Sequence, residues 1–110
     1  MTLSLIGINH KTAPIEVRER IAISREDLPE ATRALAAVPG VTECMIVSTC
    51  NRVEILATVD SPNADSPADG LTSFLQRHFG LDPALLAPHL YEHRDKEAVR
   101  HLFRVAASLD

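Results

Sequence analysis

Met45-Ile46-Val47-Ser48-Thr49-Cys50-Asn51-Arg52-Val53-Glu54-Ile55-Leu56-Ala57-Thr58 decides how the chain folds, because two strand-like runs meet there at a short polar junction. Met45-Ile46-Val47 is apolar and rich in β-branched residues. Beyond the junction Val53, Ile55 and Ala57 alternate with Glu54, Leu56 and Thr58, the period-two pattern of a strand with one well-buried face. Cys50 therefore falls at a turn or strand end, where rigid neighbours hold a side chain and leave it reachable. Arg52, two residues on, carries a permanent charge in a planar fork that matches a carboxylate. A nearby positive charge also favours thiolate over thiol, and a free cysteine with a pKa of ~8.5 is mostly protonated at neutral pH without that help. Ser48, Thr49 and Asn51 add hydroxyl and amide groups to the same place. An isolated cysteine is commonly a small buried hydrophobe; these flanking residues point instead to a functional Cys50.

Outward from this junction the pattern stays regular. Leu3 to Asn9 is an apolar run that reads as a central strand, broken by Lys11-Thr12-Ala13-Pro14. Ile15 to Ile23 suits a short helical turn with Val17 and Ile21 on one side. Leu28, Ala31, Leu35 and Val38 recur at helical spacing, predicting a helix within Ser24 to Val38 that stops at Pro39-Gly40. Its start fits a capping box at either Ser24–Asp27 or Asp27–Glu30, and Pro29 favours the later one. Asp60 to Asp65 is a loop. Ser66 then caps a helix with Pro67 in its first position and Leu71, Phe74, Leu75 and His78 or Phe79 on its buried face, ended by Gly80. Asp82-Pro83 opens a short helical turn, and Leu90-Tyr91-Glu92-His93 is a last strand. Asp95 is expected to cap a final helix with Ala98, Val99, Leu102, Phe103, Ala106 and Leu109 as its apolar face. The order strand, helix, strand, strand, helix, strand, helix predicts an α+β fold. Specifically, it is a ferredoxin-like split βαβ sandwich, a four-stranded antiparallel sheet with helices on one face. The residues contain no internal repeat and no low-complexity segment.

At 110 residues the chain is one domain, 1–110, with 45% hydrophobic and 24% charged residues, ordinary values for a soluble globular protein. Its apolar runs are too short to cross a bilayer, and no basic segment leads into a long apolar stretch and a cleavage site. We therefore expect a cytoplasmic protein with no membrane association. A net charge of −4 gives no general reason to expect nucleic-acid binding. Lys11, Arg18, Arg20 and Arg25 interleave with Glu16, Glu19, Glu26 and Asp27 and read as a solvated mixed-charge face. Cys44 and Cys50 lie along one extended segment, roughly 20 Å apart at ~3.3 Å per residue, whereas a disulfide needs Cα atoms within about 7 Å. Cys44 is taken as structural. His10, His78, His89, His93 and His101 show no metal-ligand spacing with the cysteines. Arg104 to Asp110 keeps helical periodicity with no glycine, asparagine or proline to end it, so the chain is expected to be truncated within an element.

Three segments together resemble one family. Gly7-Ile8-Asn9-His10-Lys11-Thr12-Ala13-Pro14, followed by Val17-Arg18-Glu19-Arg20, resembles the opening of glutamyl-tRNA reductases. Ser48-Thr49-Cys50-Asn51-Arg52-Val53-Glu54 resembles their nucleophile motif, and His101-Leu102-Phe103-Arg104-Val105-Ala106 with Leu109-Asp110 resembles the next block. The resemblance implies an amino-terminal catalytic, glutamate-recognising domain of an NADPH-dependent oxidoreductase. That enzyme converts glutamyl-tRNA to glutamate-1-semialdehyde in tetrapyrrole (5-aminolevulinate, hence porphyrin) biosynthesis. It implies Cys50 as the nucleophile that forms a cysteinyl thioester, and Thr49, Cys50, Asn51 and Arg52 as the substrate-binding pocket, with Arg52 on the side-chain carboxylate. His101 matches the family's activity-related histidine, which orients the ester carbonyl or assists proton transfer. For His10 a turn-stabilising role and a substrate contact are equally open. The implied partners are glutamyl-tRNA, a second copy in a full-length homodimer, and glutamate-1-semialdehyde aminomutase.

The chain also departs from the family. Ser108 stands where glycine is usual, and Asp110 precedes the serine and Gly-Glu-Pro-Gln block that supply further substrate contacts. No Gly-x-Gly-x-x-Gly fingerprint is present, so NADPH is expected to bind only in the full-length enzyme and not to these residues. Two other readings stand beside the family one: a stand-alone ferredoxin-like module that binds an acidic metabolite through Arg52, and a thiol redox sensor built on Cys50.

Overall fold

The computed structural model describes residues 1–60 and 67–109. β1 (Thr2–Asn9) carries the apolar run, and Val17 and Ile21 bury one side of α1 (Ile15–Ile21), with Ala13 buried just before it. α2 spans Leu28–Ala36, so the later of the two starts is used, with Pro29 in its first turn. Ser24 and Asp27 still pair: the Ser24 hydroxyl accepts the Asp27 N–H at 3.2 Å and donates to its carboxylate at 2.9 Å, building the turn that leads into the helix. Gly40 takes φ 90°, a left-handed conformation open to glycine, and turns the chain into β2 (Val41–Ser48). β3 is Arg52–Val59, α3 Pro67–Phe79 and α4 Pro83–Leu86. A 3₁₀ turn over Ala87–His89 leads to β4 (Tyr91–Arg94) and α5 (Asp95–Ala106). The loop expected after Asp60 and the Ser66 cap lie outside the described residues.

The four strands form one antiparallel sheet in the order β2-β3-β1-β4. β3 of the hairpin inserts between β2 and β1, which is the split βαβ topology expected from the element order. Residues paired across the sheet share a face, so the register Ile46–Ile55–Ile6 with Val53–Ile8 aligns one apolar face. That face packs on Leu35 of α2 and Leu71 of α3 to make the main core.

The opposite face follows from the same register. Leu5, Gly7 and Glu54 lie on it beside Tyr91 and His93, and α5 covers this part of the sheet through contacts with β1 and β4. The helices of the ferredoxin-like unit thus occupy one face, and α5 runs beyond that unit onto the other.

α5 keeps part of its expected face, with Ala98 buried and Leu102 half-buried, and departs from the rest. Ala98 and His101 are the buried residues, while Phe103 is 71% exposed and Val99 and Leu109 are also exposed. The sheet surface under α5 carries a buried carboxylate, and burying such a charge unpaired costs several kcal/mol. The helix therefore turns its polar His101 inward. Its ends differ too. Asp95 does not cap its own helix but accepts the Leu3 N–H at 3.1 Å, tying α5 to β1. At the other end the Ser108 N–H bonds to the Val105 carbonyl and the Leu109 N–H to the Arg104 carbonyl, with Ser108 at φ 60°. This is a Schellman stop, found where helical periodicity was expected to run on.

Candidate active site

Cys50 sits at the apex of the β2–β3 turn. The Thr49 N–H donates to the Arg52 carbonyl at 2.8 Å, and the Thr49 hydroxyl accepts the N–H groups of both Asn51 and Arg52 at 3.2 Å. Arg18 of α1, read from sequence as part of a solvated face, donates through Nη1 to the Cys50 carbonyl at 3.0 Å. The Ile23 N–H reaches the Ser48 hydroxyl at 3.1 Å. These bonds hold the backbone while the Cys50 side chain is exposed. Cys44, by contrast, is half-buried in β2 with Sγ 3.6 Å from the Thr32 carbonyl oxygen. Burial pushes its thiol above the ordinary cysteine range, which disfavours thiolate.

Arg52 and Glu54, two apart on one strand, share the α5 face. Both are buried, Arg52 6% and Glu54 1% exposed, with Arg52 Nη1 3.5 Å from Glu54 Oε2. The same oxygen accepts the Tyr91 hydroxyl at 2.5 Å and meets His101 Nε2 in a short hydrogen bond. Gly7 makes this crossing possible. It pairs with Glu54 in the register, and a Cβ there would lie 2.6 Å from the Val53 carbonyl oxygen and 2.8 Å from Glu54 Cγ. Beside it Asn9 closes the turn after β1, its Oδ1 accepting the Lys11 and Thr12 N–H groups at 2.9 and 3.0 Å.

Beside this cluster lies a cleft of about 360 Å³ lined by residues that include Asn9, Thr12, Tyr91, His93, Arg100 and His101; Thr49, Cys50, Asn51 and Arg52 are not among its lining residues. The His93 and His101 rings stack at 4.4 Å. The volume suits an amino-acid-sized group. An exposed thiol, a guanidinium fork and an imidazole oriented by a carboxylate together suit nucleophilic attack on an acyl group.

Comparison with known proteins bears on this chemistry. Residues 6–110 match the family model described as glutamyl-tRNAGlu reductase, N-terminal domain. The chain belongs to the glutamyl-tRNA reductase family. Over all 110 residues it is 56% identical to glutamyl-tRNA reductase 2 of Koribacter versatilis and 51% identical to the glutamyl-tRNA reductase of Syntrophotalea carbinolica. It spans 24% of the length of each. The structure of the glutamyl-tRNA reductase from Methanopyrus kandleri matches 94% of this chain, and 22% of that one, with a TM-score of 0.66 and 31% identity.

In this N-terminal domain of the family the residues expected from the motif are partly brought together. Thr49, Cys50 and Asn51 share the turn, while Arg52 and His101 meet the same oxygen of Glu54. His10 is exposed at the end of β1, where Asn9 and Thr12 stabilise the turn instead. Sequence reasoning missed the hub residue Glu54, its clearance Gly7 and the clamp Arg18. A glycine inside an apolar strand was the available signal, since it marks a close approach. Among the described residues no group of His, Cys, Asp or Glu is placed to hold a metal ion, and no helix is long and apolar enough to cross a membrane. The residues do not fit a nicotinamide dinucleotide. The four glycines lie under Glu54, at the Gly40 turn, within α3 and at the Gly80 helix end, and none joins a strand to a helix as a phosphate cradle requires.

Proposed function

We propose that this chain recognises the glutamyl end of glutamyl-tRNA and performs the acyl-transfer half of the reductase reaction. Cys50 Sγ attacks the aminoacyl ester carbonyl: a C–S bond forms, the ester C–O bond breaks, and the thiol proton ends on the departing ribose hydroxyl of the tRNA. The product is a glutamyl thioester on Cys50. Thr49, Asn51 and Arg52 line the glutamate pocket, with the guanidinium on the side-chain carboxylate. His101 orients the carbonyl or moves the proton. Reduction to glutamate-1-semialdehyde with NADPH belongs to the remainder of the full-length enzyme, acting as a homodimer that passes the aldehyde to an aminomutase.

The observation that carries this reading is the exposed Cys50 thiol on a turn clamped by Thr49 and Arg18, two residues before a buried arginine. Mass spectrometry after incubation with glutamyl-tRNA should find glutamate as a thioester on Cys50. Cys50→Ser should slow deacylation at least about 10³-fold, the scale of losing a nucleophile. Deacylation at the wild-type rate in Cys50→Ser would sink the assignment. Glutamate binding that survives Cys50→Ser, with no acyl transfer, would instead mark a metabolite-binding module.

A further inference from the structure

We infer that Glu54 is a positioning residue that fixes both the protonated nitrogen of His101 and the place of the Arg52 guanidinium. Three donors converge on its Oε2: Arg52 Nη1, the Tyr91 hydroxyl and His101 Nε2. Its other oxygen, Oε1, is buried and has no hydrogen-bond partner among the described residues. A carboxylate serving the fold alone gains most by satisfying both oxygens, since a buried acceptor left unpaired keeps its full desolvation cost. Here the bonding is loaded onto the single oxygen that Arg52 and His101 share.

The tautomer follows from hydrogen-bond chemistry. An ionised carboxylate only accepts, so the proton of neutral His101 sits on Nε2. Nδ1 then bears the lone pair, and it is the atom of His101 that takes or gives a proton. The His93 ring stacked on His101 restricts rotation of the imidazole away from this arrangement. Gly7 contributes by omission, because any side chain there would collide with the Glu54 methylenes. Tyr91, on the strand at the far side of Gly7, holds the carboxylate from the cleft side.

One arm of the test needs no activity and is independent of the acyl-transfer proposal. In the ¹⁵N-labelled chain, at a pH where the imidazoles are neutral, His101 should show its proton on Nε2 and an unprotonated Nδ1. A proton on Nδ1, or the mixture of free imidazole, overturns the inference. The second arm rests on the acyl-transfer reading and uses the full-length enzyme. Glu54→Gln should lower kcat about 10²-fold, the lower end of what a positioned acid–base group supplies. His101→Asn should lower it similarly, and the double variant no further than the worse single one, because the two residues act as a unit. Losses that multiply in the double variant overturn it. Glu54→Asp, which keeps the buried charge and retracts it by one methylene, covers the case in which Glu54→Gln does not fold. It should also lose kcat and blur the His101 tautomer, and wild-type kcat in Glu54→Asp counts against the role.

Discussion

Gly7 and Glu54 face one another across β1 and β3, and each explains the other. A buried carboxylate needs partners within reach, and Glu54 reaches Tyr91 and His101 only because the residue beneath it has no side chain. Gly7→Ala places a methyl 2.6 Å from a backbone oxygen that cannot move away cheaply. Overpacking of this kind costs about 1–3 kcal/mol, so urea unfolding of Gly7→Ala should show a loss in that range, with the His101 ring signals displaced. Unchanged stability would mean that β1 shifts freely. The turn that carries Cys50, with Arg52 two residues on at the start of β3, was legible from residue type and spacing alone. Glu54 was not, because period-two alternation assigned it to the open side of its strand, and nothing local announces that a helix 40 residues later will cover that side.

α5 shows what periodicity misreads. Counting apolar positions selects Ala98, Val99, Leu102, Phe103, Ala106 and Leu109, yet of these only Ala98 is buried, and it shares the buried side with His101. Amphipathic spacing locates a helix and its phase against an apolar surface; α5 meets a surface bearing Glu54, Tyr91 and His93, so the polar residue wins. The helix end carries its own prediction. Ser108 holds the left-handed position of a Schellman stop, where a Cβ is unfavourable and glycine is the usual occupant. In the 110-residue chain Ser108→Gly should stabilise folding by about 0.5–1 kcal/mol, measured as a higher Tm. A lower Tm would show that the left-handed cap does not form. The stop was invisible in sequence because serine carries none of the signal that glycine would have given.

The radius of gyration, 13.0 Å, matches the ~13 Å of a packed chain of this length. Its stability rests mainly on the core between the sheet and α1 to α3, to which Leu35 contributes a fully buried side chain. Leu35→Ala should cost about 2–5 kcal/mol, read by thermal or urea unfolding. Leu35 lies on the face away from the Glu54 cluster, so the variant should still show the His101 tautomer while folded; loss of both together would mean that the two faces are one cooperative unit with the site. Element order, the antiparallel ferredoxin-like topology and the Cys50 turn are determined by the amino-acid sequence, because local periodicity and turn chemistry act over a few neighbouring residues. The meeting of Arg52, Tyr91 and His101 on one oxygen of Glu54, under a helix that buries His101 beside Ala98, depends on strand register and on the cost of burying a charge. Both are properties of residues distant in the chain, and only packing brings them together.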